Sequence, residues 1–282
     1  MISVLAPAKI NLFLRICGKN NAGYHLLDSL VAFTEYGDNL SIYPADKDEL
    51  FVTGEFAGTI NAHKKNNLLI RALNAFRQRG GHIGPLRIML EKKIPVEAGL
   101  GGGSSDAAAL LLAINEQSKT PLSQYNLYDI GLQLGADVPV CLARGCQRIA
   151  NIGEIFTPHH LPKIAAVLLV NPRVALSTKD VFYSFAHSNR KPSNGFGGPL
   201  STLNLANMVE LGNDLTESAA SLVPQIKLCL DELKVARGVI AAAMSGSGAS
   251  CFAFFEDRGA AKITAKQLQD MGYWTQVTHI FR

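Results

Sequence analysis

The chain reads as an α+β protein of two domains. Strand-like alternation and helix-like spacing recur together in both halves of the sequence. Its 282 residues, 48% hydrophobic and 18% charged, describe a folded chain with room for two cores. A change of character after residue 156 divides it into 1–156 and 157–282.

In the first part, Lys9-Ile-Asn-Leu-Phe-Leu-Arg-Ile16 alternates as a strand, with Ile10, Leu12, Leu14 and Ile16 on one face and Lys9, Asn11, Phe13 and Arg15 on the other. Turn chemistry follows at 18–23, and Tyr24-His25-Leu26-Leu27 comes directly after it. Strand-like pieces at 30–36, 40–43 and 50–53 are punctuated by Gly37-Asp38 and Pro44. Leu69, Ala72, Leu73 and Phe76 give 67–79 a helical rhythm that Gly80-Gly81 ends. The stretch 86–94 alternates as a strand, and 122–134 is helical up to Gly135. Pro139 then predicts a return to extended structure over 137–142.

The second part begins with an aliphatic strand at 164–170 and an exposed Gly-, Ser-, Asn- and Pro-rich loop at 188–199. Helices are expected near 204–220, 224–234 and 258–270. Strands are expected at 238–244, 250–255 and 273–281.

Several function classes are set aside by composition. A net charge of +4 is mild and suits an anionic small molecule; it lacks the clustered basic stripe of a nucleic-acid binder. The longest apolar runs, 107–114 and 164–170, fall well short of the roughly 20 residues of a membrane span. No secretory signal is read at the N-terminus, so a cytoplasmic protein is expected. Cys17, Cys141, Cys146, Cys229 and Cys251 form no C-x-x-C pair and are expected as reduced, buried thiols. The histidines are scattered, His159-His160 beside Pro158 included, and no metal site is expected.

The densest chemistry lies in Pro95-Val-Glu-Ala-Gly-Leu-Gly-Gly-Gly-Ser-Ser-Asp106. Gly99, Gly101, Gly102 and Gly103 allow backbone to lie against a ligand, and Ser104, Ser105 and Asp106 offer N-cap chemistry. Apolar residues at 107, 110, 111 and 114 then mark a buried helix face. A plain helix-entry turn needs fewer glycines. The dinucleotide fingerprint fails at Ser104, and the Walker A pattern fails for want of a lysine. A phosphate cradle of another kind is the best reading, since a helix start presents unpaired N–H groups and a positive dipole end.

Asp137, in Leu134-Gly-Ala-Asp-Val-Pro139, reads either as a turn residue or as a proton acceptor for a substrate hydroxyl. Lys9 reads either as a solvated strand residue or as the cation that keeps such a carboxylate ionised. Ser245-Gly-Ser-Gly-Ala249 is either an ordinary turn or a second place for backbone to approach a phosphate.

Pro7-Ala-Lys-Ile-Asn-Leu-Phe-Leu14, Gly99-Leu-Gly-Gly-Gly-Ser-Ser-Asp-Ala107 and Met244-Ser-Gly-Ser-Gly-Ala-Ser250 resemble, in order, the three motifs of the GHMP kinases, named for galacto-, homoserine, mevalonate and phosphomevalonate kinases. With Gly23-Tyr24-His25 and Leu134–Pro139, the chain is similar to the branch whose acceptor is an alcohol bearing cytidine diphosphate, in non-mevalonate isoprenoid synthesis. The resemblance implies an N-terminal domain like the second domain of a small-subunit ribosomal protein and a ferredoxin-like C-terminal domain, with ATP in the groove between them. Mg2+ is expected with the ATP.

By the same resemblance, Asp137 is the catalytic base and Lys9 its partner. Pro95, Val96, Glu97, Ala98, Gly99, Leu100, Gly101, Gly102, Gly103, Ser104 and Ser105 hold the triphosphate, with Asn67 and Lys92 near the adenosine. Asn11 contacts substrate, Tyr24 and Phe182 stack on the cytosine, His25 bonds to it, and Ser245, Gly246, Ser247 and Gly248 close the phosphate end. Glu97-Ala98 stand where some relatives carry Gly-Gly. A homoserine- or mevalonate-type kinase and a non-catalytic nucleotide-binding regulator are the alternatives. Tyr24-His25 weighs against the first, and the presence of both Lys9 and Asp137 against the second. A monomer or homodimer is expected, without nucleic-acid or membrane partners.

Overall fold

A computed structural model describes residues 1–20, 25–60, 67–152, 155–188 and 190–281. The chain forms two compact units. One comprises Met1–Ala8, Gly37–Val96 and Gly101–Arg144, and the other Lys9–Tyr36, Glu97–Leu100 and Gly145–Arg282. Two long strands, β1 (Ile2–Lys19) and β2 (His25–Pro44), contribute residues to both.

In the first unit the end of β2 pairs antiparallel with β4 (Leu86–Glu91), and β4 pairs parallel with β3 (Glu49–Thr53). Leu86, Ile88 and Leu90 of β4 are buried while Arg87, Met89 and Glu91 are exposed, the alternation the sequence shows. The pieces expected at 30–36 and 40–43 are one continuous strand, because Gly37 does not break it. A Cβ there would stand 2.1 Å from the Ala6 carbonyl oxygen, so this glycine serves a close backbone crossing rather than a turn.

Helix α1 (Leu68–Gln78) starts where Asn67 accepts from the Leu69 amide at 3.0 Å, and it buries Leu69, Ala72, Leu73 and Phe76. Burying a ring such as Phe76 is worth ~1.5–3 kcal/mol. Helix α2 (Gly102–Gln117) is buried around most of its girth, since Ala108, Ala109 and Ala113 join the expected face. It packs on α1 and on α4 (Val138–Ala143), and α3 (Gln124–Leu134) packs on both of those. Extended structure over 137–142 is thus corrected to a short helix. Pro139 stands in its first turn, where no intrahelical N–H is required of it.

The second unit carries β5 (Gln147–Asn151) antiparallel to the start of β2, and β6 (Ile155–Pro158) antiparallel to β5. A four-stranded antiparallel sheet follows in the order β10-β7-β9-β8: β7 is Ala166–Asn171, β8 Val239–Met244, β9 Cys251–Phe255 and β10 Trp274–Thr278. Every residue of β7 and β9 is buried, which is why both read as unbroken apolar runs. Leu168, Val170, Ala253 and Phe255 pack with Val181 and Phe185 of α5 (Thr178–Ala186), Ala219 of α7 (Thr216–Leu222), Leu233 of α8 (Gln225–Val235) and Leu268 of α9 (Arg258–Asp270). The single helix expected at 204–220 is two, α6 (Leu205–Glu210) and α7, because Gly212 turns the chain at φ +83°. Among the described residues the five cysteines are free thiols, and no helix is long and apolar enough to cross a membrane.

Candidate active site

The glycine stretch falls in both units, 95–96 and 101–105 in the first and 97–100 in the second. In the first unit, Gly101 is the N-cap of α2, with φ +64° and no side-chain capping bond. The reading of Ser104, Ser105 and Asp106 as caps is corrected accordingly: all three lie inside the helix. The cap is a glycine because the residue before the first helical N–H groups sits in the left-handed region. Gly102 and Gly103 open the helix, and a Cβ on Gly103 would meet nothing within 4 Å. Open space beside backbone N–H groups at a helix start is where an anion binds.

Beneath this entry lies Lys92, just after β4 and only 3% exposed. Its ammonium donates to Asp38 and, at 2.8 Å, to Asp106. Burial pushes the Lys92 amine down, and the Asp106 and Asp38 charges more than reverse this, leaving it above its ordinary value. A Cβ on Gly102 would stand 3.3 Å from that ammonium. Of the other expected residues in this unit, Pro95 and Val96 precede the loop, Asn67 spends its side-chain oxygen on capping α1, and Asp137 is the N-cap of α4.

In the second unit the structure brings three separate stretches together. Lys9 and Asn11, each 3% exposed, lie side by side, the ammonium donating to Asn11 Oδ1 at 3.3 Å. The Lys9 amide donates to the Leu100 carbonyl at 2.8 Å, and the Asn11 amide donates to Ser245 Oγ at 3.2 Å. Ser245 Oγ in turn donates to the Gly99 carbonyl at 2.9 Å, and the Ser250 amide donates to the Ala98 carbonyl at 3.0 Å. The two glycine loops are therefore braced against each other. A Cβ on Gly99, whose φ is +73°, would stand 2.3 Å from the Ser245 carbonyl oxygen. Glu97 also takes a left-handed backbone, φ +52°, which costs a non-glycine residue ~1–2 kcal/mol.

Behind the second loop, Ser247 Oγ shares a hydrogen bond with Thr178 Oγ1 at 2.8 Å. Asn213 Nδ2 donates to the carbonyls of Met244 at 3.0 Å and Gly246 at 2.8 Å. Gly248 shares the same turn, its amide donating to the Ser245 carbonyl at 2.9 Å.

His25 packs against Phe182, ring centroids 5.2 Å apart, and edge-on to Phe185 at 6.1 Å. Its Nδ1 is buried with no hydrogen-bond partner among the described residues. Burial, helped by Lys19, holds its pKa below the ordinary histidine value, so the ring is neutral at pH 7 and has a nitrogen to offer. Tyr24 lies outside the described residues.

Asp38, Asn213 and Thr178 have no site role in the sequence reading, and Asp106 has only that of a helix cap. Asp38 carries no signal beyond its turn-like Gly37 neighbour, since its strand also holds Asp28 and Glu35, and Asn213 carries none beyond its neighbouring glycine.

Residues 67–145 match the family model for the GHMP kinases N terminal domain, and 198–273 that for the GHMP kinases C terminal. The chain is 44% identical, over 99% of its length and 95% of the relative's, to a 4-diphosphocytidyl-2-C-methyl-D-erythritol kinase of Brucella abortus. It is 38% identical to the Rhizobium meliloti enzyme of the same name, over 95% of this chain and 90% of that one. A crystal structure of a 4-(cytidine 5'-diphospho)-2C-methyl-D-erythritol kinase, 29% identical, superposes over 99% of both chains with a TM-score of 0.81. A homoserine kinase from Cytophaga hutchinsonii, 21% identical over 99% of this chain and 94% of that one, has a TM-score of 0.70 and shares the fold. The class is that of small-molecule kinases. Within it, the chain belongs to the GHMP kinases.

Proposed function

We propose that this kinase transfers the γ-phosphoryl group of ATP to the 2-hydroxyl of 4-diphosphocytidyl-2-C-methyl-D-erythritol. The observation that carries the reading is the full-length likeness to relatives of that name. The His25–Phe182 pair supports it, because a neutral imidazole with a free nitrogen beside an aromatic face suits a pyrimidine rather than an aliphatic acid. Tyr24 and Phe182 stack on the cytosine and His25 bonds to it.

The triphosphate lies along 95–105, with Asn67 and Lys92 toward the adenosine side and Asn11 and 245–248 toward the acceptor. Asp137 takes the proton of the 2-hydroxyl. The freed oxygen attacks the γ-phosphorus, and the bond to the β,γ-bridging oxygen breaks to release ADP. Lys9 holds the base ionised and offsets developing negative charge. Phosphoryl transfer asks mainly for such positioning and charge stabilisation. Mg2+ neutralises β- and γ-phosphate charge when bound with ATP. Among the described residues no group of three or more His, Cys, Asp or Glu gathers to hold a metal.

A substrate panel tests the assignment. ADP release is expected with the cytidine substrate and not with homoserine or mevalonate; the reverse pattern overturns it.

A further inference from the structure

The group beneath the glycine loop holds two carboxylates and one ammonium, all nearly sealed from water: Lys92 3% exposed, Asp38 0% and Asp106 3%. An unbalanced charge in such a place costs several kcal/mol. The two carboxylates are not equally served. Asp38 accepts from the ammonium through Oδ2, and its Oδ1 accepts from the amides of Lys93 at 2.6 Å and Ile94 at 2.8 Å. Asp106 accepts from Lys92 through Oδ2, and among the described residues its buried Oδ1 has no hydrogen-bond partner.

Lys92 and Asp38 are the charged groups acting on Asp106. Helices α1 and α4, the others packed on α2, bury the apolar Leu69, Leu73, Phe76, Val138, Val140 and Leu142. Burial pushes the Asp106 carboxyl up to about 8, with Lys92 opposing and Asp38 adding to the rise.

We propose that Asp106 is a positioning residue for nucleotide binding that works as a neutral acid. With its proton, the Lys92–Asp38–Asp106 group carries no net charge beneath Gly102, and the anionic nucleotide is accepted at the helix entry. Without it, one negative charge stands directly under that entry and repels the phosphates. The proposal rests on the reading of 95–105 as the triphosphate loop. By linkage, a bound nucleotide holds the Asp106 proton more tightly.

The test is the ATP KM of the full-length enzyme between about pH 7 and about pH 9.5, beside the KM of the acceptor. The last ionisation of a terminal phosphate lies near about pH 6, below this range, so the nucleotide itself adds little titration there. The wild type is expected to show a ~3–10-fold rise in ATP KM across this range with a level acceptor KM, the order a nearby unit charge exerts through partly screened protein. Asp106→Asn, which keeps the shape and cannot ionise, is expected to show a level ATP KM. In the wild type, infrared difference spectra should show the carbonyl stretch of a protonated carboxyl that disappears on alkaline titration, at a higher pH when ADP is present. That measurement needs no variant to fold. A level wild-type profile, an unchanged rise in Asp106→Asn, or an infrared midpoint that ADP does not move overturns the proposal while leaving the kinase reading intact. No ATP turnover by the wild type at neutral pH overturns both.

Discussion

Alanine at Gly99 and alanine at Gly103 separate a glycine that the chain itself requires from one that a ligand requires. At Gly99 the added Cβ would meet the Ser245 carbonyl oxygen at 2.3 Å, and the Gly248 carbonyl oxygen and amide nitrogen at 2.8 and 2.9 Å. All three are backbone atoms of a braced turn, so no flexible side-chain end can give way. The left-handed backbone at φ +73° adds ~1–2 kcal/mol for any residue with a Cβ, and overpacking adds ~1–3 kcal/mol. A loss of ~2–5 kcal/mol is expected, against a total stability of roughly 5–15 kcal/mol.

At Gly103 a Cβ meets nothing within 4 Å and the residue is helical, so alanine there is expected to stabilise by ~0.5–1 kcal/mol. The same methyl group projects where the phosphates are proposed to lie, and ATP affinity should fall. Urea unfolding followed by the fluorescence of Trp274, the single tryptophan and 5% exposed, gives the stabilities, and calorimetric titration gives the ATP Kd. A Gly99→Ala loss under ~0.5 kcal/mol refutes the steric reasoning. A Gly103→Ala variant that binds ATP as the wild type does removes this glycine from the phosphate site.

Asp137→Asn is expected to keep ATP binding and lose ~10²–10⁴-fold in kcat, the usual worth of a general base; unchanged turnover in a quench-flow or coupled assay takes Asp137 out of that role. Phe182→Ala removes the ring 5.2 Å from His25 and should raise the acceptor KM more than it lowers kcat, with the ATP KM level. A kcat loss with an unaltered acceptor KM speaks against stacking. Asp48 sits below the ordinary carboxylate range because Arg77 bonds to it bidentately at 2.5 and 3.0 Å, burial opposing and the Leu86 amide assisting. A depressed folded pKa contributes stability that is present above the unfolded value near ~3.9 and lost as pH falls through the folded value. Asp48→Asn should therefore cost ~0.5–1.5 kcal/mol at neutral pH, a gap that closes in acid; a gap independent of pH contradicts the assignment.

Both glycine loops and the Lys9–Asn11 pair were legible because each is local: a run of glycines before a helix, or a polar pair on one face of an alternating strand. That the loops lean on each other was not legible. Ser245 and Gly99 lie far apart in sequence, and the contact runs largely through backbone carbonyls and amides, which leave no side-chain signature. The Gly37-Asp38 dipeptide failed for a sharper reason. Gly-Asp is favoured in turns because glycine supplies unusual backbone angles and aspartate bonds locally. Here the glycine is present because β1 crosses within reach of its missing Cβ, and the aspartate because a buried lysine just after β4 needs an anion.

Composition does not distinguish these two uses of one dipeptide, but charge balance does. Asp38, Lys92 and Asp106 are all buried by the fold, where a lone charge is too costly to keep, and they have to be counted together. Two negatives against one positive leave one group that must hold a proton. The fold then selects Asp106 for that part by giving Asp38 the two spare amides.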